Sequence, residues 1–143
     1  MTMMKLDWTY EGDSNINLSI NITDSVAILS DDSGTGKTFM FEMLESYFVA
    51  KGIAYKKFDG NSENEDADWF IHGMRKANIV LLDNADLYMT KKLFNYLKSS
   101  DKQVIMSIKH TEKLGSFENC GFYTINYENN NLKTVRESCG TII

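Results

Sequence analysis

Ile16, Leu18, Ile20 and Ile22 alternate with Asn17, Ser19 and Asn21. A period of two predicts a strand with one dry and one wet face. Residues 5–10 form a shorter strand before it, and the polar residues 11–15 form a turn. Val26, Ala27, Ile28 and Leu29 are continuously apolar, which marks a short strand covered on both sides. The period then changes. Between residues 37 and 50 the apolar positions Met40, Phe41, Met43, Leu44, Tyr47 and Phe48 follow helical spacing, and Gly52 lies just past the end. Residues 53–58 predict a strand. An acidic loop over 59–68 leads into a helix ending near Lys76. Residues 79–82 predict a second short buried strand, 86–99 a helix with Asp86 as its cap, and 104–108 another strand. Segments 122–127 and 132–136 flank a Glu-Asn-Asn-Asn turn and predict a closing hairpin.

The strand–helix alternation in the middle predicts a mainly parallel central sheet with flanking helices, and the terminal hairpins are expected to add antiparallel edge strands. The chain has 143 residues, which suits one domain over 1–143. Apolar residues at 43% are too many for a disordered chain. A net charge of −5 argues against a dedicated nucleic-acid binder, which is normally basic. No apolar run reaches the roughly 20 residues of a membrane span, so no membrane insertion is expected. Residues 1–10 lack the continuous apolar segment of a signal peptide. Cys120 and Cys139 have no metal-ligand spacing, and reduced thiols in a cytoplasmic protein are expected. His72 reads as solvent-facing on a helix, and the acids of 59–68 as a solvated loop.

Chemistry enters where the buried strand at 26–29 meets the helix at 37. Residues 31–38 read Asp-Asp-Ser-Gly-Thr-Gly-Lys-Thr, close to the phosphate-binding pattern G-x-x-x-x-G-K-[ST]. Glycines let successive backbone N–H groups turn inward around a phosphate, and the helix start adds partial positive charge. Asp32, Ser33, Gly34, Thr35, Gly36, Lys37, Thr38 and Phe39 are the expected nucleotide contacts. Lys37 would meet the β- and γ-phosphates and the Thr38 hydroxyl a Mg²⁺ ion. Asp31 departs from the pattern, standing where the first glycine belongs. The second motif is Ile79-Val-Leu-Leu-Asp83-Asn84, a buried strand that delivers Asp83 to Mg²⁺ or its water.

Together these motifs resemble the P-loop NTPase superfamily, in particular its additional-strand division of AAA-like and ABC-like ATPases, over residues 26–108. The resemblance implies a P-loop NTPase fold and ATP with Mg²⁺ as cofactors. It also implies a polar sensor strand at Val104-Ile-Met-Ser107-Ile-Lys109-His110. By likeness to ABC ATPases, Tyr10 would stack on adenine and His110 would touch the γ-phosphate. The chain lacks their signature loop and helical subdomain. Catalytic candidates are Lys37, Asp83, Asn84 and His110. Asn84 occupies the place where hydrolytic relatives carry glutamate. An amide can orient a water but cannot take its proton. The expected function is therefore a small cytoplasmic ATP-binding protein with weak or partner-dependent hydrolysis. Two alternatives stand beside it. One is a degenerate P-loop domain that binds or inhibits a protein partner, which Asp31 and Asn84 favour. The other is a small-molecule kinase, against which stands the scarcity of arginine: only Arg75 and Arg136, beside thirteen lysines.

Overall fold

A strand that is dry on one face only cannot lie between two layers of helices, and this decides the architecture. A computed structural model describes residues 4–10, 15–29, 36–109 and 118–137. Eight strands form one sheet: β1 (Met4–Tyr10), β2 (Ile16–Ile22), β3 (Val26–Leu29), β4 (Tyr55–Phe58), β5 (Ile79–Leu82), β6 (Gln103–Ser107), β7 (Cys120–Glu128) and β8 (Asn131–Arg136). Their order across the sheet is β1-β2-β8-β7-β3-β6-β5-β4. Among the described residues, three α-helices accompany them: α1 (Lys37–Lys51), α2 (Ala67–Gly73) and α3 (Lys91–Ser99).

The expected P-loop NTPase architecture, a mainly parallel central sheet with flanking helices and antiparallel strands only at its edges, is corrected. The sheet is mixed and strongly curled into a half-barrel, and strands outweigh the three helices. The two terminal hairpins are built into it. β1 pairs antiparallel with β2, and β7 with β8. The hairpins then join each other through the parallel pair β2–β8, and β7 joins β3 in parallel. The parallel pairs β3–β6, β6–β5 and β5–β4 complete the other half.

The physical reason is legible strand by strand. Among the described residues, only β3, β5 and β6 are strands buried along their full length. β2 buries every second residue, from Ile16 to Ile22. β8 buries Leu132 and Thr134 on either side of an exposed Lys133. Such strands keep their dry side inward by curling, and the normal twist of a sheet favours it. What they curl around is α1, whose Met40, Phe41, Met43, Leu44 and Phe48 pack with Leu6, Leu18, Ile20, Tyr123 and Leu132. The opposite face of the central strands belongs to α2 and α3. There Val26, Ile28, Val80, Leu82, Val104 and Met106 meet Phe70, Leu93, Phe94 and Leu97.

Local boundaries also shift. The segment expected as one helix over 86–99 is a 3₁₀ turn, Ala85–Leu87, followed by α3. Thr90, not Asp86, caps α3: its hydroxyl accepts a hydrogen bond from the Leu93 N–H at 3.2 Å. α2 ends at Gly73, short of Lys76. Among the described residues, no helix is long and apolar enough to cross a membrane.

Candidate functional site

β5 is buried throughout and ends in an acid. Asp83 is only 6% exposed, a costly place for a carboxylate unless something compensates it. Its backbone is fixed first. The Asp83 N–H donates to the Phe58 carbonyl at 2.9 Å, and the Tyr88 hydroxyl donates to the Asp83 carbonyl at 2.8 Å. Burial pushes the Tyr88 phenol well up, with the Asp83 and Asp59 charges adding to it, so this hydroxyl keeps its proton. The Asp83 carboxylate then accepts a hydrogen bond from the Ser107 hydroxyl at 2.8 Å. Ser107 ends β6, the strand beside β5.

The same Ser107 oxygen accepts the Asn84 N–H at 2.8 Å. Asn84 is held in the left-handed region, with φ 52° and ψ 49°. Asparagine tolerates that conformation better than most residues. The bend sends the chain into the 3₁₀ turn and brings Asp86 toward the end of β6, where its carboxylate accepts the Lys109 N–H at 2.6 Å.

Opposite this frame stands the start of α1. Gly36 precedes the helix with φ 92°, a conformation that favours glycine, and its carbonyl accepts the Met40 N–H at 2.8 Å. No side chain caps the helix here, and its first turn holds no acid. The first N–H groups of a helix have no partner within it, and they carry its positive end.

A cleft of about 420 Å³ lies between these parts. Gly36, Lys37, Thr38 and Phe39 line it from α1, Asp83, Asn84 and Asp86 from the end of β5, and Ser107, Ile108 and Lys109 from the end of β6. Size does not single it out, since hollows of about 450 and 500 Å³ occur elsewhere. Its chemistry does: two lysines, two aspartates, two hydroxyls and a helix start face one space. Among the described residues, no cluster of three His, Cys, Asp or Glu forms a metal cage. Mg²⁺ bound beside a phosphate chain needs only one or two protein ligands. A buried carboxylate on Asp83 and a hydroxyl on Thr38 lining the same cleft fit that requirement.

Six residues singled out by the motifs thus share one cleft: Gly36, Lys37, Thr38, Phe39, Asp83 and Asn84. Asp32, Ser33, Gly34, Thr35 and His110 lie outside the described residues, as does Asp31. Tyr10, the expected adenine contact, is not among the lining residues. Its ring packs edge-on against Trp8, with centroids 5.9 Å apart, and both lean on the α1 side of the core. His72 is exposed on α2. Ser107 and Lys109, read in the sequence only as part of a polar sensor strand, also line the cleft, as does Asp86, which was read as a helix cap. The available signal for Ser107 was a lone hydroxyl closing the apolar run Val104-Ile-Met. Compared with known proteins, the chain matches no family model and no curated protein.

Proposed function

We propose that the chain binds a Mg²⁺-nucleoside triphosphate, ATP by the P-loop resemblance, and hydrolyses it slowly or only with a protein partner. The observation that carries this reading is the convergence of the α1 start, Lys37 and Thr38 with Asp83 on one cleft. The α1 N–H groups and Lys37 would bind phosphate oxygens, and Thr38 with Asp83 would hold Mg²⁺. Mg²⁺, when bound, would offset phosphate charge and polarise the bond to be broken. Ser107 keeps the Asp83 carboxylate oriented by its hydrogen bond. Asn84 has no basic group to take a proton from water, a role worth about 10²–10⁴ in rate. Turnover by the isolated protein should therefore stay below about 1 s⁻¹, the low end of ordinary enzymes. A cytoplasmic setting and a protein partner belong to the same proposal.

Calorimetry with Mg-ATP on wild type and Lys37→Ala tests it. Binding by wild type that is largely lost in Lys37→Ala is the expected result. No binding by wild type up to millimolar nucleotide would overturn the nucleotide reading. That outcome would favour the second reading, a degenerate module that binds a protein. Asn84 is the observation on its side, because its left-handed backbone gives asparagine a structural reason to stand there.

A further inference from the structure

We propose that a hollow at the opposite end of the sheet from the cleft binds a small apolar amino acid. The inference stands on its own residues and does not depend on the nucleotide reading. The hollow, of about 450 Å³, lies where β5 and β6 begin, whereas the cleft lies where they end. Lys102, just before β6, lines it and is only 7% exposed. Its ammonium donates to the Ala77 carbonyl at 2.8 Å and to the Arg75 carbonyl at 3.1 Å. An ammonium has three hydrogens to donate, so one is left over. Among the described residues, no carboxylate pairs with this buried cation. A buried charge without a counter-charge is costly. Arg75, exposed and lining the same hollow, adds a second positive charge.

Gln103, the first residue of β6, has the opposite need. It is 1% exposed and lines the same hollow. Its Nε2 donates to the Asp24 carbonyl at 3.0 Å and to the Ser25 carbonyl at 3.3 Å. Those contacts fix which end of the amide is nitrogen, because an oxygen there would face two acceptors. Its Oε1 has no donor, and among the described residues it is the only buried side-chain nitrogen or oxygen in that state. Such atoms in a native fold call for a partner. Asp101 brings a carboxylate to the same lining, and Met4, Ala77 and Ile79 bring buried apolar surface. Nearby backbone groups are already spent. The Asn78 N–H donates to the Ala54 carbonyl at 2.9 Å, and the Gln103 N–H donates to the Asn78 carbonyl at 3.0 Å. Recognition therefore falls to side chains. They ask for an anionic oxygen toward Lys102 and Arg75, a hydrogen donor toward Gln103 and Asp101, and a short apolar part. An α-amino acid with an apolar side chain carries all three on one small frame. A simple anion answers only the cations and is repelled by Asp101.

Titration of the full chain, followed through its backbone amide NMR signals, tests this. The probes are L-leucine, L-alanine, leucinamide, which lacks the carboxylate, and 4-methylpentanoate, which lacks the amine. Leucine or alanine should move the signals of Asn78, Lys102 and Gln103 and leave residues 36–39 unmoved. Leucinamide and 4-methylpentanoate should bind more weakly than leucine. Arg75→Gln should weaken the amino acid about fivefold, the scale of one water-exposed charge contact. Because Arg75 is exposed, that variant should keep the wild-type thermal midpoint, which separates loss of the contact from loss of the fold. No movement with either amino acid up to millimolar concentration would overturn the proposal. So would movement confined to residues 36–39, equal binding of either truncated probe, or unchanged affinity in Arg75→Gln. Each of these results leaves the nucleotide reading standing, and failure to bind Mg-ATP leaves this one standing.

Discussion

Ser107 is one small side chain with two obligations: it donates to the Asp83 carboxylate and accepts the Asn84 N–H. Ser107→Ala leaves both groups without that partner, and a buried unsatisfied group costs about 1–3 kcal/mol. Urea denaturation should show a loss of that size, and an unchanged midpoint would mean that the carboxylate finds another donor. Asn84 makes a separate claim. At φ 52°, glycine should be tolerated, whereas glutamate pays roughly 1–2 kcal/mol for the left-handed backbone. Placing a glutamate there would therefore trade stability for a base, and Asn84→Glu should melt below both wild type and Asn84→Gly. Cys120 completes the residue scale. Burial, helped by Asp24 and opposed by Lys98, pushes its thiol up to about 11. Little thiolate exists at neutral pH. Alkylation of Cys120, followed by peptide mapping, should be slow in the native protein and fast in denaturant; rapid native labelling would contradict this burial.

α3 shows at the scale of an element what local pattern can and cannot tell. Its apolar positions Phe94 and Leu97 are readable in the sequence, but the reading started the helix at Asp86. The structure gives the cap to Thr90, so Thr90→Ala should lower stability by about 1 kcal/mol in thermal or urea melts. A null result there would return the helix start to Asp86. Strands were legible for the same local reason. Alternation announced β2, and the Asn-rich turn announced the β7–β8 hairpin, where Asn129 and Asn130 take φ 52° and 60°. The order of the strands was not legible. Asn17 is bound to its distant neighbours by a backbone bond to the Asn130 carbonyl at 2.8 Å and a side-chain bond to Asn131 at 3.1 Å, and nothing near residue 17 announces that pairing. The site divides along the same line. Lys37, Thr38 and Asp83 carry contiguous motifs. Ser107 and Lys109 lie on the strand read as a sensor, but their closeness to Asp83 and Asp86 comes from β6 lying beside β5.

Across the whole molecule, one junction ties the two halves of the sheet together near the start of β3. Asp24 accepts hydrogen bonds from the Tyr123 hydroxyl at 2.7 Å and from Arg136 Nε at 2.8 Å and Nη2 at 3.2 Å. Gly121 must be glycine beside it, since a Cβ there would collide with the Asp24 carboxylate. Burial alone would raise the Asp24 pKa, but the bonds from Arg136 and Tyr123 outweigh it and bring the value below the ordinary 3.8. A carboxylate with a lowered folded pKa contributes stability above its unfolded pKa and loses it as pH falls through the folded value. The stability gap between wild type and Asp24→Asn should therefore be full at pH 6 and shrink below about pH 4; a gap that widens in acid would contradict the junction. The junction and the β2–β8 pair share a further consequence, one of timing. A ribosome delivers β2 and β3 early, but β3 waits for β6 and β7, and β2 waits for β8. Most of the sheet's closing contacts join residues far apart in the chain, a topology associated with slow acquisition of the native state. Until residue 136 emerges, the nascent protein exposes apolar strands with open edges, which is the situation that chaperones exist to manage.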